Sequence, residues 1–273
     1  MNKSSDPSAS LKAVRAKIDR IDEELHRLMV ERTELARNVW KAKDRTMAGL
    51  AAVRPAREAQ MLRAFAARHR GQISLPVLWR IWRELIIANI RAQVPVAVHV
   101  ADGGPGAGMW DLARAHFGFD TEMTRHGGAA AAVRAAAAGA AIAVLPAESA
   151  DDWAGELRAQ DRFCIFDALP QIVASRAPGP LCQGPAAYLA GDVALEPTGA
   201  DTSVVLVPAG HDEAMAAADR HGLDVNACRG VGEATLLGIA GLDMALKPEG
   251  GENWGGVDVK VLGGHADATV WDQ

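Results

Sequence analysis

Between Leu11 and Val39 the apolar side chains fall at Leu11, Val14, Ile18, Ile21, Leu25, Leu28, Leu35 and Val39. The steps are of three and four residues until one slot is filled by a charge. A 3.5-residue apolar repeat draws a single seam along a helix, and that seam must meet partner helices. The pattern predicts a helix from about Leu11 to Arg45, with Met1–Ser10 as a polar lead-in and Ser10 at its cap. At this length the helix depends on neighbours for its stability. Arg32 occupies the charged slot, four residues after Leu28 and three before Leu35. A guanidinium stays protonated and is costly to bury without an anion. Arg32 therefore calls either for a protein carboxylate, such as Asp22 or Glu34, or for an anionic ligand. Lys43 follows eleven residues later, about 20° from the same face and about 16 Å along the axis. Two long cationic arms on one groove suit a small anion.

The rhythm breaks at Thr46–Val53. Pro55 suits the first turn of a second helix, whose apolar face holds Met61, Leu62 and Phe65 and which Gly71 ends. Ser74 and Pro76 open a third helix, with a stripe of Leu78, Trp82 and Leu85 running on into Asn89 and Gln93. Those two amides are four apart and share a face. Asn89 interrupts an apolar stripe as Arg32 does, and a buried amide can also simply set helix register. Pro95 closes the segment. Three helices with one overlong member carry more apolar face than one chain covers, so a helical dimer is expected.

From Val96 the pattern becomes α/β, and its alternation predicts a parallel sheet. A strand at 96–100 leads into the glycine-rich Gly103–Gly108 and a helix to about Phe117. An Ala-rich helix follows at 128–138, then strands at 141–145, 163–166, 172–174 and 204–207. A last βαβ-like segment spans about Thr202 to Leu262. Gly103–Gly108 ends in neither Gly-Lys-Ser/Thr nor the dinucleotide spacing, so it reads as a tight turn. Glu148 reads as a surface carboxylate.

Charge sharpens the division. Residues 1–94 hold 19 basic and 10 acidic side chains, and residues 95–273 hold 10 and 24. The basic segment suits an anionic partner. The three cysteines, Cys164, Cys182 and Cys228, form neither a disulfide framework nor a metal cluster, which points to a reducing cytoplasm. The eight histidines lack ligand spacing, so no metal site is expected. No apolar run approaches the length of a membrane span and Met1–Ser10 has no apolar core, so neither a span nor a secretion signal is expected.

Taken together, Val14-Arg15-Ala-Lys-Ile-Asp-Arg-Ile-Asp, Glu31-Arg32, Lys41-Ala-Lys43, Arg57-Glu58 and Ile81-Trp82 through Gln93 resemble the all-helical chorismate mutase family. The resemblance implies an intertwined dimer of three-helix chains, chorismate as substrate and no cofactor. It further implies that Arg15 from the partner chain, Arg32 and Arg57 hold carboxylates. By the same likeness Asn89 stands for a serine that assists them, Lys43 and Gln93 reach the ether oxygen, and Glu58 accepts the substrate hydroxyl. Planar two-pronged donors suit carboxylates. Arg54 replaces an Asp that the family often has near the hydroxyl side of the pocket.

The remainder more weakly resembles prephenate dehydratase with a reduced ACT-like tail. Gly103–Gly118 follows the family's loop and helix, but Ala107 and Met109 replace its hydroxyl residues. Pro146-Ala-Glu148-Ser-Ala and Thr202-Ser203-Val204 stand at two further motifs, the second without its arginine. The expected architecture is multidomain: an all-α three-helix domain (1–94), an α/β dehydratase-like domain (96–200) and an ACT-like region (201–273). The leading function is an isomerase making prephenate for aromatic amino-acid biosynthesis, with a non-catalytic C-terminal region. Other readings are a bifunctional mutase/dehydratase, an isochorismate-pyruvate lyase, and a non-enzymatic dimerising or nucleic-acid-binding helical module. The last is disfavoured because the cations lie on the seam and not in an outward basic stripe with aromatics.

Overall fold

The computed structural model describes residues 7–42, 49–103, 108–160, 162–174, 184–246, 253–254 and 256–271. It divides into two compact units, Met1–Thr46 and Met47–Gln273.

Among the described residues the first unit is one helix, α1 (Pro7–Ala42). It begins four residues before the apolar pattern, because Pro7 has the fixed φ that a first helical turn accepts. The seam residues Leu11, Val14, Ile18, Ile21, Leu25, Leu28 and Leu35 are each 45–58% exposed. Arg27 bridges Glu24 and Glu31 at 2.7 and 2.8 Å, one turn to either side. These exposed pairs support the helix only weakly.

The second unit opens with α2 (Pro55–Arg68) and α3 (Leu75–Arg91). Pro55 starts α2 as expected. Ser74 stands at the cap of α3, but its hydroxyl makes no capping bond. The buried face of α3 is Leu75, Trp79, Arg83, Ile86, Ile87, Asn89 and Ile90. The expected stripe of Leu78, Trp82 and Leu85 is only half-buried. Two adjoining stripes of α3 are apolar, and tertiary contact selects the one centred on Trp79. Phe65 of α2 meets Trp79 and Trp82 edge to face, with ring centroids 6.1 and 4.8 Å apart.

The α/β part continues through β1 (Ala97–Ala101), α4 (Met109–Phe117), β2 (Glu122–His126), α5 (Ala129–Gly139) and β3 (Ile142–Pro146). The strands β1, β2 and β3 are parallel. After the short α6 (Ala154–Arg158) come β4 (Cys164–Leu169), β5 (Ile172–Ala174) and β6 (Ala187–Gly191). β6 inserts between β3 and β4, antiparallel to both, so the sheet is mixed and not purely parallel. The Ala-rich α5 buries Ala129, Ala132, Val133 and Ala136. Small side chains let it lie close against β1 and β3.

The last part reads β7 (Asp201–Val207), α7 (His211–Arg220), β8 (Val225–Val231), β9 (Ala234–Ala240), α8 (Asp243–Leu246), β10 (Asn253–Trp254), β11 (Val257–Asp258), β12 (Lys260–Ala266) and β13 (Thr269–Trp271). With the small β10–β11 hairpin set aside, and β13, which pairs with β5, this is βαββαβ, one β-strand and one helix-strand step richer than the expected βαβ. Its strands lie in the order β12-β7-β9-β8, which is the split βαβ arrangement. Among the described residues the two parts form one nine-stranded sheet, ordered β2-β1-β3-β6-β4-β12-β7-β9-β8. The join is β4 to β12 at Ile165 and Gly263. Gly263 has φ +130°, and a Cβ there would run into the Ile165 carbonyl, so the join requires glycine. No helix among the described residues is long and apolar enough to cross a membrane.

Candidate functional site

Glu58 lies in the first turn of α2, where a carboxylate favours the positive end of the helix. It is buried, as is Arg83 on α3, and the two form an ion pair through Glu58 Oε2 and Arg83 Nη1. Arg83 also donates Nε–H to the His116 carbonyl at 2.9 Å and Nη2–H to His116 Nε2 at 3.0 Å. A guanidinium can only donate, so His116 Nε2 must accept, which makes the ring neutral with its proton on Nδ1. Burial, and then the Arg83 charge, push the His116 pKa well below its ordinary value, in agreement. Each of the three guanidinium nitrogens of Arg83 is thus engaged. Glu58 Oε1 has no hydrogen-bond partner among the described residues.

Asp167 on β4 faces the same cluster. Burial raises its pKa to about 7, the Glu58 charge adds to the rise, and three groups oppose it: the Ala168 N–H, Arg83 and the Gln171 amide. Its oxygens accept from Ala168 N–H and Gln171 Nε2, both at 2.8 Å. Gln171 Oε1 in turn accepts the Trp79 indole N–H at 3.0 Å. The cluster therefore ties α2, α3, α4 and the β4–β5 turn together.

The expected site residues separate as follows. Arg15 and Arg32 stand on α1, seventeen residues and about 25 Å apart along the axis. Arg15 is exposed, whereas Arg32 is half-buried and burial lowers its pKa. Lys43 lies outside the described residues. Arg57 is exposed at the start of α2. Asn89 is buried, and its Oδ1 has no hydrogen-bond partner in the structure. Gln93 donates Nε2–H to the Asn89 carbonyl at 2.8 Å. The fold brings Asn89 and Gln93 together and gives Glu58 a cationic partner. That partner, Arg83, had the same sequence signal as Arg32: a charge four after Trp79 and three before Ile86 on an apolar face.

In the α/β part, Thr202 is buried and already engaged. Its hydroxyl donates to Asp267 Oδ1 at 2.6 Å and accepts from Asn226 Nδ2 at 2.7 Å. The neighbouring Ser203 hydroxyl donates to the Gly241 carbonyl at 2.8 Å. Glu148 is exposed, Met109 is half-buried, and Ala107 lies outside the described residues.

Comparison with known proteins gives three findings. Residues 14–94 match the family model described as Chorismate mutase type II. The chain is 32% identical over 148 residues to the bifunctional chorismate mutase/prephenate dehydratase of Pseudomonas aeruginosa, a stretch that covers 53% of this chain and 40% of that protein. The chain thus spans about two-fifths of the length of the curated relative it matches. Among solved structures, the prephenate dehydratase of Streptococcus mutans aligns over 64% of this chain and 99% of its own, at 15% identity and a TM-score of 0.38. The family match takes in Arg15, Arg32, Lys43, Arg57, Glu58, Asn89 and Gln93, and a mixed α/β region follows it.

Proposed function

We propose that the chain catalyses the rearrangement of chorismate to prephenate and acts as a homodimer. The observation that carries this reading is the family match over residues 14–94, which spans every cation and amide that the sequence singles out. The reaction is unimolecular and pericyclic, so it needs no nucleophile, metal or redox group. The protein must hold a compact chair-like conformer and stabilise charge growing on the ether oxygen. In this reading Arg32, Arg57 and Arg15 of a second copy hold the two carboxylates, with Asn89 assisting. Lys43 and the Gln93 amide serve the ether oxygen. Arg83 pairs with Glu58 through Oε2 alone, which leaves Oε1 to accept the substrate hydroxyl. The apolar seam of α1, half-exposed along its length, gives the reason for a dimer. The free thiols of Cys164 and Cys228 suit a reducing cytoplasm.

The α/β region is proposed to be structural or regulatory and not a working dehydratase. A dehydratase needs a donor for the departing hydroxyl and a cation for the carboxylate. Thr202 spends its hydroxyl on Asp267 and Asn226, and Ser203 stands where the cation belongs. The second reading, a bifunctional enzyme, is favoured by the name of the Pseudomonas relative. Incubating the full chain with chorismate and identifying the product tests the first reading: prephenate supports it, and unchanged chorismate refutes it. Incubation with prephenate tests the second. Phenylpyruvate that disappears in Thr202→Ala would make the protein bifunctional.

A further inference from the structure

The second unit contains a cavity of about 340 Å³ that the mutase reading does not use. Residues of α3, α4 and the β4–β5 turn line it. Its walls are largely apolar: Val77, Leu112, Leu169, Pro170 and Ile172, with the buried Trp79 at one side. The volume lies within the range of small-molecule pockets, about 300–1,000 Å³, and the pattern of apolar walls with a few fixed polar groups is what such pockets share.

The polar groups on its wall differ in what they have left to give. Gln171 spends its oxygen on Trp79 and an N–H on Asp167. Arg83 spends its charge on Glu58 and two more donors on His116. Arg80 also lines the cavity and has no acceptor among the described residues. Glu84, one turn on, is directed instead at Gly118, where its carboxylate lies against the glycine. The cavity therefore has one uncompensated planar cation among its lining residues and otherwise largely apolar walls.

We infer that this cavity binds a small planar carboxylate: a single unsaturated ring held among Val77, Leu112, Pro170 and Ile172, with its carboxylate on the Arg80 guanidinium. The geometry favours a carboxylate over a neutral ring because a guanidinium fork matches its two oxygens. The occupant would also touch Arg83, the residue that holds Glu58. This gives the cavity a physical route to the mutase site, although the binding claim stands without that site.

The test uses trans-cinnamate as the probe on the full chain, with cinnamamide as its neutral counterpart, read by titration calorimetry. Cinnamate is expected to bind with a Kd below about 1 mM. Binding should weaken at least about tenfold for cinnamamide and for Arg80→Gln, the loss of roughly one good charged contact. Ala115→Trp, which fills the cavity, should abolish it. Arg80 is exposed, so Arg80→Gln should keep the wild-type circular dichroism and chorismate turnover even where Ala115→Trp fails to fold. Absence of cinnamate binding would overturn the inference. So would cinnamate binding that Arg80→Gln leaves unchanged, because the ligand would then be elsewhere.

Discussion

Arg83→Met removes the cation that neutralises Glu58 while keeping most of the apolar stem. The side chains of Arg83 and Glu58 are only 4% and 7% exposed, so water cannot take the place of the lost partner. Breaking a buried pair from one side typically costs about 3–5 kcal/mol, since the remaining charge stays desolvated. The variant also strands the His116 carbonyl and Nε2, which Arg83 serves at 2.9 and 3.0 Å. The upper part of that range, about 4–5 kcal/mol, is therefore expected. Urea unfolding followed by circular dichroism gives the difference, with Glu58→Gln and the double variant completing a cycle. The double variant has no unpaired charge and should be clearly less destabilised than the sum of the single changes. By contrast Arg27→Met, in a pair whose side chains are more than half exposed, should change little. A loss below about 1 kcal/mol for Arg83→Met, or strict additivity in the cycle, would refute the buried pair.

Asp167 titrates at about 7 in the folded chain against an ordinary 3.8, so the native state binds an extra proton between those values. Stability should fall as pH rises from about 4 to about 7, by up to about 4 kcal/mol, and Asp167→Asn should remove that slope in urea unfolding across pH. Lys43→Ala should lower kcat by about 10²–10³-fold with little change in KM, because the ether oxygen gains charge only as its bond breaks. A raised KM with unchanged kcat would assign Lys43 to ground-state binding. Mixing an Arg15→Ala chain with an Arg32→Ala chain should restore part of the activity through heterodimers. No rescue after demonstrated subunit exchange would exclude a shared site.

Local pattern made the helices legible, and tertiary context decided the faces. The three-four repeat of α1 is unambiguous because nothing but Arg32 breaks it. α3 carries two apolar stripes, and no local feature chooses between the Leu78 and Trp79 stripes, which is why Arg83 escaped notice. Strands with buried aliphatic runs, such as Ile142–Leu145, stood out. β6, Ala-Tyr-Leu-Ala-Gly, has too little β-branched character to announce itself and is a strand because it fills the gap between β3 and β4. The β8–β9 hairpin had a readable signal in the two-residue Gly232-Glu233 turn, where Gly232 has φ +58°, a left-handed value that such turns favour. At the candidate site, residue types were legible but pairing was not. Glu58 and Arg83 are twenty-five residues apart, and Asp167 joins them from β4.

The claim at the centre of the account is that the charge set into the apolar seam of α1 serves chorismate. Steady-state disappearance of chorismate, with prephenate identified as product, should be compared for the wild-type chain and Arg32→Ala at matched circular dichroism. kcat/KM is expected to fall by orders of magnitude while the helices persist. Wild-type kcat/KM in Arg32→Ala would contradict it.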